Sequence, residues 1–419
     1  MQATLASFGV SVVALGVLLS AQAPPQPAGL TPAPAKESDL RVRLERVGRI
    51  PTNRNPTSPV VAGSQLLLID QAGYLYRWDG STGVPLITPK TMPQEVKPLG
   101  AEPLMNVAAD RSGAKVYAMF ISSTAPRTVP RRMSPRDPDG WYLLYEYQFD
   151  GTALSAPRPV TALQVRSDGH TGGGLAVLDD GTVLFASGDN GDSYEDGREH
   201  GQNPAVHLAK LVRINPGDGS TSIAAFGVRA VQRLAIYTFA EQRWLTFVDP
   251  GGWVAEELNA APVSELSGGT APLNFGWGRG PVDGKSREGT FYIDRTGNST
   301  GRAPDGEPAF VQPVAEVGRE IHEPFALSGP VQSSTSFSRI TMLVGDLISG
   351  QLFATIGPPT SKRQEVLRVT LVGDNAQPVT LKSLTGNVRP DPRFFNFPDG
   401  SAGVLLERTG EFYRLSEVR

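Results

Sequence analysis

Hydrophobic and polar positions alternate over short stretches from about Leu40 onward, and turn residues punctuate them. Leu66-Leu67-Leu68-Ile69-Asp70, a turn at Gln71-Ala72-Gly73 and then Tyr74-Leu75-Tyr76-Arg77-Trp78-Asp79-Gly80 predict a hairpin. Similar endings recur at Leu143 to Gly151, Leu211 to Pro216, Val366 to Asp374 and Phe412 to Leu415. The first three such units begin at 74, 143 and 211, a step of nearly seventy residues, and the one at 366 lies about two steps further on. A soft repeat of strand-rich units predicts an all-β propeller, each unit one blade. On pattern alone the competing architecture is a pair of two-sheet sandwiches. Only Val254 to Leu266 reads as a brief helix. Gly278 to Pro308, rich in Gly, Arg, Asp and Ser, reads as a loop excursion between blades.

The N-terminal end differs. Leu5 to Leu19 is an apolar run, too short to span a bilayer comfortably. It leads to Ala21-Gln22-Ala23, a small-x-small site of the kind signal peptidase cuts. The expected organisation is an export signal at 1–23, a linker at 24–39 that is Pro/Ala-rich from Pro24 to Lys36, and one β domain at 40–419. The expected location is periplasmic or secreted, with no stable membrane span after cleavage.

Composition narrows the chemistry. The 419 residues carry a net charge of -3, so there is no basic footprint for nucleic acid. No cysteine is present, which removes disulfides, thiolate metal sites and a cysteine nucleophile. Gly 46 and Pro 36 suit many short strands joined by turns. Gly284-Lys285-Ser286 ends like a phosphate loop, but Arg279 stands where the required glycine belongs. No HExxH or strand-borne GxGxxG occurs. Asn298-Ser299-Thr300 fits a glycosylation sequon.

The stretch His170 to Asp192 concentrates candidate chemistry. His170 precedes three glycines, Asp180-Gly181 makes a turn, Thr182 to Ser187 reads as a strand, and Gly188 to Asp192 leaves it as an acidic, glycine-rich loop. Two antiparallel segments joined by one turn return His170 and Asp189 to the same end. A histidine there suits general-base work, and a carboxylate can hold its tautomer. The plainer reading makes both of them turn residues. The acidic run Asp189, Asp192, Glu195 and Asp196 offers oxygen ligands for a hard cation, or a solvated loop. Asp249 to Glu257, with Gly251, Gly252 and Glu256, is a second oxygen-rich place, or a turn into a short helix.

At these residues the chain resembles the soluble quinoprotein glucose/sorbosone dehydrogenases, six-bladed propellers that use pyrroloquinoline quinone (PQQ) and calcium. The family's H-x-G-G-x-L, D-G turn and G-D ending are matched by His170 to Leu175, Asp180-Gly181 and Gly188-Asp189. Its glutamine and G-K-x-L-R-I-N strand are matched by Gln202 and by Ala209 to Asn215, with Ala209 for glycine. Gly227 to Ala235 resembles G-x-R-N-P-Q-G-L-A, with Ala230-Val231 for Asn-Pro and Arg233 for glycine. Gly251 to Asn259 resembles the G-P-x-x-D-D-E-I-N loop, with Gly252 for proline, and Asn274-Phe275-Gly276-Trp277 resembles N-Y-G-W. Glu102 to Phe120 resembles the second blade, and Arg393, Pro398-Asp399-Gly400 and Tyr413-Arg414-Leu415 the closing one.

The resemblance implies a six-bladed β-propeller of four-stranded antiparallel sheets. It also implies a dehydrogenase that passes hydride from the anomeric carbon of an aldose to PQQ, and then to an unknown electron acceptor. His170 would be the base and Asp189 would orient it. Arg229, Gln232 and Arg393 would contact PQQ, with Arg339, Lys362 and Arg389 as further candidates for its carboxylates. Gly251, Gly252 and Glu256 would hold calcium. Two other readings remain: a propeller without cofactor that binds a carbohydrate or protein, and a lactonase using calcium and carboxylates.

Overall fold

The computed structural model describes residues 29–50, 55–100, 102–132, 140–165, 170–191, 200–252, 254–269, 271–279, 286–294, 297–304, 310–318, 327–373 and 375–418. The expected export signal, the first part of the linker, and Asp192, Glu195 and Asp196 lie outside them. No helix among the described residues is long and apolar enough to cross a membrane.

Antiparallel sheets follow one another along the chain, and each is named here by its leading residue. The Pro56 sheet holds Pro56–Ala62, Gln65–Asp70, Leu75–Trp78 and Gly83–Ile87. The Leu104 sheet holds Leu104–Ala109, Lys115–Ser122, Gly140–Phe149 and Leu154–Val165, with Arg131–Arg132 on its edge. The Gly172 sheet holds Gly172–Val177, Val183–Ser187, Lys210–Ile214 and Thr221–Phe226, edged by Leu273–Asn274. The Ala235 sheet holds Ala235–Phe239, Gln242–Asp249, Ala255–Pro262 and Ala315–Gly318. Leu327–Val331, Met342–Asp346, Leu352–Thr355 and Leu367–Val372 form the Leu327 run. Pro392–Asn396, Ala402–Leu406, Glu411–Val418 and Arg41–Arg49 form the last run.

Strands of neighbouring sheets pack on one another, the Ala235 sheet meeting Leu327–Val331 through Gln242–Asp249. Leu104–Ala109 packs against both Pro56–Ala62 and Gly172–Val177, while Leu327–Val331 packs against Pro392–Asn396, which in turn meets Pro56–Ala62. The chain ends close this β-propeller: Arg41–Arg49 pairs antiparallel with Glu411–Val418, putting Leu44 opposite Leu415.

Each hydrophobic core lies between consecutive sheets. Leu67, Ile69, Val107, Phe120 and Tyr145 join the Pro56 and Leu104 sheets. Tyr142, Leu163, Phe185 and Val212 join the Leu104 and Gly172 sheets. A sheet covered on both faces buries successive residues, so Val183–Ser187 is buried at every position. Its strands then read as apolar runs instead of clean alternation.

Two expectations are corrected. Ala255–Pro262 is a strand, and only Val263–Leu266 is helical, as one 3-10 turn. The buried Glu257 of this strand accepts the Gly289 N–H at 2.6 Å and the Asn259 amide at 3.1 Å. The excursion after Gly278 is not a loop between blades. It leaves and re-enters the Ala235 sheet, and it carries a small sheet of Gly278–Arg279, Ser286–Glu288, Phe291–Ile293 and Ser299–Arg302.

Candidate active site

The Gly172 sheet presents its first two strands' loops at one end. Gly172 pairs with Ser187, and the ladder continues outward through Gly188 N–H to Thr171 O (3.1 Å) and Asn190 N–H to His170 O (3.2 Å). The approach is close enough that a Cβ on Gly188 would stand 1.5 Å from the His170 carbonyl oxygen. His170 and Asn190 both take left-handed backbone, φ 43 and 57. This folding brings His170 Nδ1 to 3.0 Å from Asp189 Oδ1. The Asp189 side chain is 1% exposed and the imidazole 37%. The ring therefore has one edge on a buried carboxylate while part of it stays accessible.

Arg229 comes from the segment between Thr221–Phe226 and Ala235–Phe239 and is tied in through its backbone. Its carbonyl accepts the Asp189 N–H at 2.8 Å. Its own N–H and that of Ala230 donate to the Asp249 carboxyl at 2.7 and 2.9 Å. Its Nη2 lies 3.0 Å from His170 Nε2, and its Nη1 donates to the carbonyls of Pro250 and Gly251, each at 3.0 Å. The guanidinium also lies over Trp277, 5.1 Å from the ring centre. Because arginine only donates, His170 Nε2 accepts and Nδ1 carries the proton toward Asp189; these partners assign the tautomer.

Burial dominates the electrostatics behind this layer. It raises the Asp249 pKa against the two N–H bonds that favour its carboxylate. Burial and the neighbouring Asp249 charge raise that of Glu257. Asp189 Oδ2 and Arg229 Nε are buried with no hydrogen-bond partner among the described residues. Such groups are uncommon and mark places where a ligand atom could complete the network.

The remaining expected site residues divide. Gln232 Oε1 accepts from Arg393 Nη1 at 2.8 Å, and Arg393 also meets Glu407 at 2.6 Å. Gln232, Arg233 and Arg393 line a cavity of about 300 Å³ together with Thr171, Gly172 and Pro250, next in sequence to His170 and Gly251. Glu256 is wholly buried and accepts the Leu327 N–H at 3.4 Å. Gly252 is half-buried. A Cβ on Gly251 would stand 1.8 Å from the Ala255 carbonyl oxygen, so that loop requires glycine. Glu288 of the small sheet holds the loop by accepting the Val254 and Ala255 N–H groups at 2.6 and 2.7 Å. Arg339 pairs with Asp39 and Glu417, Arg389 with Asp391, and Lys362 donates to Ala260 O. Of those late-chain cations only Arg393 lines the cavity. Among the described residues no group of three or more histidine or acidic side chains is placed to hold a metal ion.

Sequence reasoning did not find the roles of Tyr142 and Asn190. The Tyr142 hydroxyl contacts both the Thr171 carbonyl and the Asn190 amide. A tyrosine within an apolar strand reads as core, and no sequence signal marks its hydroxyl.

No protein-family model matches the chain, and no curated protein sequence matches it. Solved structures do match in fold. The PQQ-bound form of aldose sugar dehydrogenase from Streptomyces coelicolor matches with a TM-score of 0.58 and 20% identity, over 92% of this chain and 100% of that one. A glucose dehydrogenase matches with a TM-score of 0.57 and 18% identity, over 90% and 98%. The calcium structure of a Trichoderma reesei carbohydrate-active enzyme of family AA12 matches with a TM-score of 0.54 and 13% identity, over 94% and 99%.

Proposed function

We propose that this chain is an exported oxidoreductase that oxidises an aldose at its anomeric carbon with PQQ and calcium, on a propeller of six blades. The observation that carries this reading is the three-way contact at His170: a buried carboxylate on Nδ1, a guanidinium on Nε2, and that guanidinium also on the Pro250 and Gly251 carbonyls. The structural neighbours, which include a PQQ-bound aldose sugar dehydrogenase and a calcium-bound relative in fold, support it.

The residues present fit the two groups at the reactive end. The Pro250 and Gly251 carbonyls converge on one cationic position, filled here by Arg229 Nη1, and neutral carbonyls are ligands of the kind calcium takes. Arg229 would meet the cofactor's anionic oxygens through its planar fork once it turns from those carbonyls. Arg393 and Arg233 supply positive charge along the cavity. The chemistry supplied by the bound pair is hydride acceptance at a quinone polarised by calcium.

His170 Nε2 takes the proton of the anomeric hydroxyl. Asp189 keeps the Nδ1–H tautomer, so that the lone pair stands on Nε2, and it stabilises the imidazolium that forms. Asp70, Gln71, Glu102, Asn106, Gln232 and Glu407 line the cavity, a mixed set of donors and acceptors suited to sugar hydroxyls.

The test is reduction of a dye acceptor across a panel of aldoses, after addition of PQQ and calcium to purified protein, with His170→Ala as control. Turnover above that control is expected. Its absence across the panel overturns the reading.

A further inference from the structure

Tyr142 lies wholly buried on Gly140–Phe149 of the Leu104 sheet, its ring edge-on to Phe185 at 4.9 Å. Its hydroxyl donates to the Thr171 carbonyl at 2.9 Å and accepts from Asn190 Nδ2 at 3.0 Å. Thr171 follows His170 in the chain, and Asn190 follows Asp189. One phenol from the neighbouring sheet is thus bonded to the residue after the base and to the residue after its carboxylate. Asn190 Nδ2 also reaches the Gly188 carbonyl at 3.3 Å, which ties the second loop to itself.

These bonds meet a local need. His170 and Asn190 hold left-handed backbone that residues with a Cβ disfavour, and such conformations persist only where their surroundings over-determine them. The buried phenol is rigid because its ring is packed, so its oxygen is a fixed point that adds to the direct Gly188–Thr171 and Asn190–His170 bonds between the two loops. A shift of about 0.5 Å in either loop would take the His170–Asp189 contact out of hydrogen-bond range.

We propose that Tyr142 and Asn190 are positioning residues that lock the His170 loop to the Asp189 loop, and so hold His170 in its Nδ1–H tautomer. The consequence for turnover rests on the reading of His170 as the base. The lock itself acts in the protein without cofactor and is measured there.

The experiment uses Tyr142→Phe, which keeps the ring and removes the hydroxyl. It also uses Asn190→Gly, which keeps access to left-handed backbone and removes the amide. The imidazole nitrogen chemical shifts of His170, recorded by NMR on cofactor-free protein, report the tautomer. Wild type should show the Nδ1–H form, and each variant a mixture with the Nε2–H form. Combining the variants should add less than the two separate effects, because they share one hydrogen bond. In protein loaded with PQQ and calcium, kcat should fall about ten- to a hundredfold with KM unchanged. Unchanged tautomer populations in both variants overturn the proposal, and Asn190→Gly decides alone if Tyr142→Phe does not fold. A tautomer shift without turnover in wild type keeps the lock and removes the dehydrogenase reading. Turnover in wild type with unshifted tautomers removes only the lock.

Discussion

Arg229 donates from Nη2 to His170 Nε2 across 3.0 Å, so the lone pair that a general base needs is held by an internal cation. The same guanidinium bonds the Pro250 and Gly251 carbonyls, and its backbone is fixed by Asp249. The side chain is therefore the movable part of a rigidly tethered residue. For His170 to take a proton, this one contact has to be exchanged for a substrate hydroxyl, while the Asp189 contact on the far side of the ring stays in place.

Arg229→Lys should keep the charge and lose the fork. One ammonium cannot reproduce the planar set of bonds to His170, Pro250 and Gly251, and it stacks less well on Trp277. Losing a charge-assisted bond predicts a drop in PQQ affinity of about ten- to a hundredfold by calorimetry. The fold should persist, because Asp249 bonds the backbone N–H groups of residues 229 and 230 and not the guanidinium. Equal affinity in the two proteins would show that the guanidinium does not face the cofactor.

Asp189→Asn tests the other edge of the ring. An amide can donate to Nδ1, which favours the Nε2–H tautomer and removes the lone pair from the working nitrogen. The kcat should fall by about two orders of magnitude or more. KM should change little, since Asp189 is buried behind the imidazole. Steady-state kinetics on the responsive aldose decides it, and a fall confined to KM would assign Asp189 to substrate binding instead.

The residues legible from sequence were those whose partners are near in the chain. His170 and Asp189 end adjacent strands of one hairpin, so a turn at Asp180-Gly181 was enough to bring them together. Arg229 was reached only through resemblance, because the segment that carries it leaves the sheet after Phe226 and returns across its end. Tyr142 belongs to another sheet altogether, and its role depends on a hydroxyl whose partners lie 29 and 48 positions away. The helix expected at Val254 to Leu266 failed for a related reason. Glu256, Glu257 and Asn259 are each buried in a strand, and Glu256 and Glu257 reach the Leu327 and Gly289 N–H groups far along the chain. Long-range contacts likewise order the small sheet after Gly278. Arg287 lies over the rings of Tyr292 and Phe310, and Glu288 reaches back to the Val254 and Ala255 N–H groups.

Gly188→Ala should be damaging out of proportion to one methyl group. The added carbon would fall 1.5 Å from His170 O and 2.6 Å from Gly172 N, both backbone atoms that cannot rotate away. The strands would have to part at the end where His170 and Asp189 meet. Overpacking of this kind costs about 3 kcal/mol. Denaturant unfolding should show that loss together with a weakened Nδ1–H signal from His170, and a variant as stable as wild type would contradict the described approach.

Lys210 gives a prediction about pH and stability. It is wholly buried on Lys210–Ile214; its Nζ donates to the carbonyls of His200 and Leu208, and it lies 5.3 Å from the Phe226 ring centre. Burial, aided by the charge of Arg132, pushes its pKa from 10.5 down to about 7. Between those two values the unfolded chain holds a proton that the folded chain has released. The unfolding free energy should therefore rise with pH through this window, by at most about 1.4 kcal/mol per pH unit for one proton. His207, pushed by burial from 6.5 to about 4, acts in the same sense at lower pH. Asp249 and Glu257, raised by burial, act in the opposite sense, since the folded chain keeps protons that the unfolded carboxylates lose. Those opposing groups are common to wild type and to Lys210→Met, so they cancel in the difference between the two proteins. Urea unfolding of both from about pH 7.5 to 9.5 should show wild type gaining stability relative to the variant as pH rises. Parallel curves would mean that Lys210 keeps its proton in the fold despite its burial.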